Sequence, residues 1–289
     1  MMKRRVVEGV PLAPHTSLRV GGSARYYARP ENRTELGLAI DWASERERAV
    51  AVLGGGTNAL FPDAGWPGLV LHTASLRGLA IDGECIVAGA GEPLSRLAWH
   101  ACRAGFTGLE WACGIPGTVG GAVVMNAGTR DGEIARSLVR VDVADSGREA
   151  TIDATALGLG YRTSAFLRGE LPGVILEAEF RLKRADPGGC IAHAEGLLAE
   201  RIERLPVGAS VGCVFRNPAD GPTAGQLLDR AGCKGMRVGE VYVSDRHANV
   251  IVNDGECNAS DILQLIERMK AAVRDAYGIE LDEEVVIHG

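Results

Sequence analysis

The chain has 289 residues and a net charge of −6, enough for about two domains of roughly 150 residues each. With no block of like charge it lacks the concentrated basic face that general nucleic-acid binding needs. Hydrophobic residues at 46% and charged ones at 24% exclude a disordered chain, and aromatics at 5% leave the core to Val, Leu, Ile and Ala.

In chain order, the start MMKRRVVEGV has basic residues but no apolar run before Glu8, so no export signal is expected. Residues 34–46 predict a helix, with Thr34 as its N-cap and Leu36, Ala39, Ile40 and Ala43 on one face. Strands are expected at 49–53, 69–72 and 85–88, and a helix over 93–104, started by Pro93 and stopped by Gly105. The long uncharged stretch from Trp111 to Thr129 holds five glycines and Pro116, too many breakers for a lipid-facing helix. Val139, Val141 and Val143 alternate with polar residues, and residues 174–183 do so more regularly, as half-buried strands should. Ala185-Asp186-Pro187-Gly188-Gly189 is the best boundary between domains.

Beyond that boundary come a helix over about 191–204, a strand ending in Phe215, a helix capped by Thr223, and short strands at 241–244 and 249–253. The last long helix shows Ile262, Leu265, Ile266, Met269 and Val273 as its apolar stripe, with Asn258 or Ser260 as cap and Gly278 as stop. The run from Leu281 to Ile287 embeds Asp282, Glu283 and Glu284 among apolar residues, which suits a strand docking back onto the body. Seven cysteines without Cys-x-x-Cys spacing disfavour a zinc ribbon or a disulfide scaffold and fit reduced thiols. The whole reads as a soluble, intracellular protein of mixed α/β type.

Glycine is the compositional outlier: 39 residues is nearly double the usual share of about 7%, which asks for tight turns or for backbone close to a ligand. The first cluster, Gly54-Gly55-Gly56-Thr57-Asn58, follows a predicted strand. Its amides can converge on an anion, and Thr57 and Asn58 add side-chain hydrogen bonds. Neither a Gly-x-Gly-x-x-Gly fingerprint nor a phosphate loop ending in Gly-Lys-Ser/Thr can be read here. Alone, this cluster serves equally as a tight turn or as a phosphate cradle. The second cluster runs from Gly114 to Gly128 without a charge. It can lie flat against a large planar ligand and offer backbone donors to phosphates, or form a buried loop between strands.

These clusters stand in order with Arg19-Val20-Gly21-Gly22-Ser23-Ala24, Tyr161-Arg162-Thr163-Ser164-Ala165-Phe166, Ser210-Val211-Gly212-Cys213-Val214-Phe215-Arg216-Asn217-Pro218 and His247-Ala248-Asn249-Val250-Ile251-Val252-Asn253. Six motifs in register from about residue 15 to the C-terminal acids closely resemble the UDP-N-acetylenolpyruvoylglucosamine reductase family. The resemblance implies an α+β chain: a two-part FAD-binding fold of the vanillyl-alcohol oxidase/CO dehydrogenase flavoprotein type, then a separate substrate-binding domain. The expected parts are residues 1–185 (subdomains about 1–72 and 73–185), 190–280, and a C-terminal segment 281–289 returning to the active site.

It further implies a bacterial cytoplasmic enzyme of peptidoglycan precursor synthesis with non-covalent FAD and NADPH. The reduced flavin N5 gives a hydride to the vinyl C3 of a UDP-sugar enolpyruvyl ether, and a proton is added at C2. Arg162 would meet the charge that develops on the substrate carboxylate, because a guanidinium stays protonated and can grip a carboxylate at two points. Cys213, where the family usually has Ser, would give the proton to C2; a thiol near pKa 8.5 is still mostly protonated at neutral pH. Glu284, in Leu281-Asp282-Glu283-Glu284-Val285 against the family's Leu-Glu-Pro-Glu-Val, would be a second acid/base group.

Gly54, Gly55, Gly56, Thr57, Asn58, Gly114, Pro116, Gly117, Thr118, Gly120, Gly121, Asn126, Ala127 and Gly128 are expected to contact the cofactor. Tyr161, Arg216, Asn217, Lys234 and His247 are expected to contact substrate. His15-Thr16-Ser17 departs from the family's usual Asn-Thr-Thr/Ser. No metal, nucleic-acid, membrane or obligate protein partner is expected, and the six cysteines other than Cys213 are read as buried and structural. Two other readings are an oxidase or dehydrogenase of the same fold acting on an alcohol or lactone, and a non-enzymatic nucleotide-sugar binder. The first often tethers FAD through a His, and no His flanks residues 54–58.

Overall fold

The computed structural model describes residues 6–289; the basic start at residues 1–5, part of the export-signal reading, lies outside the described residues. The helices are α1 (Arg33–Ser44), α2 (Leu94–Arg103), α3 (Val119–Val124), α4 (Pro187–Arg204), α5 (Ala224–Arg230) and α6 (Ala259–Tyr277). With largely antiparallel sheets beside them, the class is α+β. The chain packs as two compact units. The first takes residues 6–8, 26–55 and 68–201, and the second takes residues 9–25, 56–67 and 202–289.

The first unit holds a five-stranded antiparallel sheet in the order Arg148–Asp153, Leu138–Asp145, Val174–Arg181, Cys85–Gly89, Leu79–Asp82. It also contains most of a second sheet, ordered Val6–Pro11, Ser23–Ala28, Trp66–His72, Val50–Leu53, whose last pair is parallel with Leu53 opposite His72. Its larger core gathers Ile86, Leu97, Phe106, Val141 and Phe180 against α2 and α3. Four of the five phenylalanines are wholly buried, so the few aromatics supply the largest core side chains.

Two local readings are corrected in this unit. The N-cap of α1 is Asn32, not Thr34: Asn32 is extended and its side chain accepts from Glu35 N at 3.0 Å, which leaves Thr34 inside the first turn. The Ala185–Gly189 stretch is not a linker, since α4 already starts at Pro187. Proline lacks the N–H that a first turn leaves unpaired, and Asp186 Oδ2 accepts from Gly189 N at 2.7 Å. Cys190 and Ala194 of α4 then enter the first unit's core, so by packing the chain divides at 201/202.

In the second unit, strands Ala209–Cys213, Val250–Asn253, Val241–Val243 and Arg237–Val238 form an antiparallel sheet in that order. Its core joins Leu18, Val20 and Leu60 to Phe215, Leu228, Val243 and the apolar stripe of α6. α6 starts after Asn258 and ends at Gly278, whose φ is +68°, but its first amides are capped from elsewhere. Asp63 accepts from Ala259 N at 2.7 Å and from Ser260 N at 3.0 Å. Burial raises the Asp63 pKa and those hydrogen bonds lower it, with the net result below the usual carboxylate value.

α5 has the expected Thr223 cap, completed by Gln226 as a reciprocal capping box. Thr223→Ala is expected to cost about 1 kcal/mol, read as a lower urea midpoint at unchanged slope. The C-terminal run does dock back: Val286–Ile287 pairs in parallel with Ala59–Leu60. Among the described residues no helix is long and apolar enough to cross a membrane.

Candidate active site

In the first unit the two glycine clusters meet backbone to backbone. A Cβ on Gly54 would lie 2.4 Å from Thr118 Oγ1, and one on Gly55 would lie 3.0 Å from Gly117 Cα. Glycine is therefore required at both positions by the protein's own packing. Gly120 is constrained in the same way, since its Cβ would sit 3.0 Å from that of Ala90. The first amides of α3 are also used internally: Val119 N donates to Glu92 O and Gly120 N to Ala90 O, both at 2.9 Å, while Thr118 Oγ1 accepts from Gly121 N at 3.4 Å. Gly121 differs. It is exposed, and a Cβ there would meet only Thr118 Oγ1 at an ordinary 3.5 Å. Gly114 lies against the flexible side chains of Leu198 and Arg201, and Gly117 has φ +112°.

Beyond α3 the second cluster builds a support for Arg162. Gly160 and Thr163 exchange both backbone hydrogen bonds, at 3.1 and 3.2 Å, so Tyr161 and Arg162 form a two-residue turn with Arg162 at φ +52°. Glycine or asparagine usually takes that conformation. The Arg162 guanidinium donates to Gly128 O at 2.5 Å and to Asn126 O at 3.5 Å, and its carbon lies 5.2 Å from the centre of the Tyr161 ring. These carbonyls orient the cation. Asn126 is 1% exposed; its carboxamide donates to Gly160 O at 2.9 Å and accepts from Ala135 N at 3.0 Å, tying the Arg162 turn to the cluster. Ala127 N donates to Ala122 O, closing the end of α3. Tyr161 is 51% exposed.

In the second unit Gly56 has φ +64°, and a Cβ there would fall 2.0 Å from His15 O. Asn58, which follows Thr57, is tied to the chain's end: its Nδ2 donates to Glu284 O at 3.0 Å and its carbonyl accepts from Val286 N at 3.1 Å. The same C-terminal segment reaches the strand carrying Cys213. Glu284 N donates to Val214 O at 2.7 Å, and Arg216 N donates to Asp282 O at 2.9 Å. Cys213 and Glu284 are thus brought within one hydrogen-bonded backbone patch. Glu283 pairs with Lys270 of α6 at 2.7 Å, while Asp282 is exposed.

Of the expected substrate contacts, Lys234 and His247 line one cavity of about 200 Å³ with Thr223 and Arg246. Lys234 is paired with Asp229 at 2.9 Å. Burial, assisted by Lys234 and Arg204, pushes the His247 imidazole below its usual range, so it is neutral at pH 7. Arg246 and Arg204 escaped the sequence reading; adjacency to His247 and to Leu205-Pro206 was their only signal. Asn217 Oδ1 accepts from Ala224 N at 3.0 Å and helps to start α5. Arg216 Nε is buried with no hydrogen-bond partner among the described residues. A larger cavity of about 540 Å³ is lined by Thr16, Ser17, Arg19, Gly208 and Ala209. Of the six other cysteines, Cys102, Cys113, Cys190 and Cys233 are buried as expected, whereas Cys85 and Cys257 are half-buried. Burial first, then Asp261 and Asp63, push the Cys257 thiol up to about 11, which keeps it protonated.

Comparison with known proteins joins these observations. Residues 24–153 match the FAD binding domain family, and residues 203–288 match the C-terminal domain family of UDP-N-acetylenolpyruvoylglucosamine reductase. The UDP-N-acetylenolpyruvoylglucosamine reductase of Synechococcus sp. (strain JA-3-3Ab) is 42% identical, covering 99% of this chain and 92% of that protein. The Chloroflexus aurantiacus protein of the same name is 40% identical over 96% of this chain and 95% of its own length. The crystal structure of the Thermus caldophilus reductase superposes with a TM-score of 0.85 at 37% identity, covering 99% of both chains. With two-domain matches and near-complete coverage at this identity, the chain belongs to the UDP-N-acetylenolpyruvoylglucosamine reductase family and is an FAD-dependent oxidoreductase.

Proposed function

We propose that this protein reduces UDP-N-acetylenolpyruvoylglucosamine to UDP-N-acetylmuramate, with NADPH as hydride donor and non-covalent FAD as carrier, in bacterial cytoplasmic peptidoglycan precursor synthesis. The observation that carries the reading is Arg162. It occupies a turn position where glycine would be locally easier, and neutral carbonyls aim its guanidinium. A strained backbone with an oriented, permanently charged side chain suits stabilisation of a carboxylate on which charge develops.

The residues present fit the cofactor and a diphosphate substrate. Gly121 is a glycine that the protein's own packing does not demand, as expected of backbone kept clear for a ligand. The buried Nε of Arg216 is a donor left for an anionic group. Lys234, Arg246 and His247 line a cavity with Asp229; with Lys234 paired to Asp229, the lining keeps a net positive charge for a diphosphate in a chain of net charge −6.

Bound FAD, once reduced, supplies the hydride from N5 to the vinyl C3. Arg162 holds the substrate carboxylate in the geometry that stabilises the enolate-like charge. Cys213 delivers the proton to C2 from its thiol. Glu284 is the second acid/base group, supported by the pairing of Glu283 with Lys270 and by the alternation of side chains along an extended segment.

The test is spectroscopic. Purified protein loaded with FAD should be bleached anaerobically by NADPH and recover its oxidised spectrum on addition of the enolpyruvyl substrate. Protein that refuses FAD, or reduced flavin that the substrate leaves reduced, contradicts the assignment. Gly121→Ala offers an independent check with opposing signs. It should hold or raise stability by about 0.5–1 kcal/mol, as alanine does in helices, while weakening FAD binding roughly tenfold in a fluorescence titration.

A further inference from the structure

We infer that Asn249 is the positioning residue for Cys213: its carboxamide holds the backbone just past the thiol in the place where the sheet stops supplying hydrogen bonds. The inference rests on the proton-donor role proposed for Cys213. The strand Ala209–Cys213 pairs antiparallel with Val250–Asn253, Ser210 opposite Val252, but the register slips before Cys213, which stands opposite Val250. The extra residue is taken up around Gly212, at φ +77°. Such a bulge re-aims the following side chain, here Cys213, and interrupts the ladder that would fix it.

Asn249 repairs the interruption. Its carbonyl accepts from Val214 N at 2.9 Å, so the main chain continues the slipped register by one residue. Its side chain then acts as one further strand residue: Oδ1 accepts from Phe215 N at 2.9 Å and Nδ2 donates to Phe215 O at 2.8 Å. Asn249 is 2% exposed and Phe215 1%, so no water competes for either bond. The Asn249 main chain is itself held from behind, because its backbone N–H donates to His247 Nδ1 at 3.2 Å, which places the proton of the neutral imidazole on Nε2. The peptide so held is also the one the chain's end grips, since Val214 O accepts from Glu284 N and Val285 N at 2.7 and 3.3 Å. One side chain therefore sets the backbone of both Cys213 and Glu284. Aspartate has the acceptor but not the donor, and alanine has neither.

The experiment compares wild type with Asn249→Asp, which keeps the bond to Phe215 N, and Asn249→Ala. In the FAD-loaded Asp variant, flavin reduction by NADPH should stay within about twofold of wild type, while reoxidation by the enolpyruvyl substrate should slow at least tenfold. Alkylation of Cys213 by iodoacetamide, followed by mass spectrometry, should accelerate severalfold in both variants at a temperature where circular dichroism shows them folded. Equal slowing of both half-reactions, or reoxidation at the wild-type rate, overturns the positioning role. If wild type itself fails to pass electrons to the substrate, the proposed function falls instead. The alkylation comparison then still decides, because unchanged Cys213 reactivity in both folded variants overturns the inference.

Discussion

Cys213→Ala is expected to leave flavin reduction by NADPH within about twofold of wild type and to slow flavin reoxidation by the enolpyruvyl substrate by roughly 10²- to 10⁴-fold, the range for loss of a positioned general acid. Removing the thiol takes away the proton for C2 but nothing that the hydride donor needs. Cys213→Ser should retain reoxidation within about tenfold, because a hydroxyl at the same bulge occupies nearly the same volume and can deliver a proton. The two donors differ in acidity, which gives a second readout. A thiol is far more acidic than an alcohol, so any alkaline decline in wild-type reoxidation that comes from ionisation of Cys213 should be absent from the serine variant. Stopped-flow traces of the two half-reactions between pH 6 and 10 measure both effects. Normal reoxidation by the alanine variant, or an alkaline limb surviving in the serine variant, would remove Cys213 from the proton step.

Part of this site was legible because it is local. Thr223 three residues before Gln226 is a capping box by spacing alone, and Gly278 after the apolar stripe of α6 is a stop that only a residue tolerant of positive φ can form. The docking of residues 281–287 could be read because three acids among apolar residues cannot be a buried strand or a free tail with equal ease. What escaped is long-range. Asp63 caps α6 across 196 residues, and no pattern in either segment announces the other. The bracing roles of the asparagines escaped for the same reason. Asn58, Asn126 and Asn217 are expected to face ligands, and each also spends side-chain hydrogen bonds on protein backbone. An amide side chain reads identically in sequence whether it binds a ligand or braces a loop. The bulge at Gly212 and the carboxamide of Asn249 that compensates for it belong to this class: the motif was visible, but the role of its third residue was not.

The glycines divide along a similar line. By residue pattern each cluster suits either a structural turn or loop or a ligand-facing backbone, and the resemblance places Gly54, Gly55 and Gly120 among cofactor contacts. In the fold those three are explained by the close approach of one loop to another, so a missing Cβ does not by itself point to a ligand. Gly121 retains that meaning because its would-be Cβ has room. The two kinds of glycine respond oppositely to alanine: forced movement at Gly55, where the neighbour is backbone at 3.0 Å, and a quiet helix position at Gly121.

Arg162→Lys should lower turnover by roughly 10²- to 10³-fold with FAD content unchanged, comparable to losing one preorganised donor from an anion-stabilising site. The lysine keeps the charge, so charge alone cannot account for a loss of that size. An ammonium is a point donor on a flexible stem, whereas the guanidinium is a rigid plane, oriented here by Gly128 O and Asn126 O, whose fork geometry matches a carboxylate at two points. Asn126→Ala gives the complementary case. It removes the 2.9 Å bond to Gly160 O that ties down the turn while leaving Arg162 chemically intact, so it should reduce kcat by a smaller factor. In Arg162→Lys the NADPH half-reaction should run normally, placing the defect in the transfer to substrate. Loss of flavin from Arg162→Lys with unimpaired chemistry per bound flavin would instead make Arg162 a cofactor ligand, and its positive φ a feature of the cradle rather than of the catalytic step.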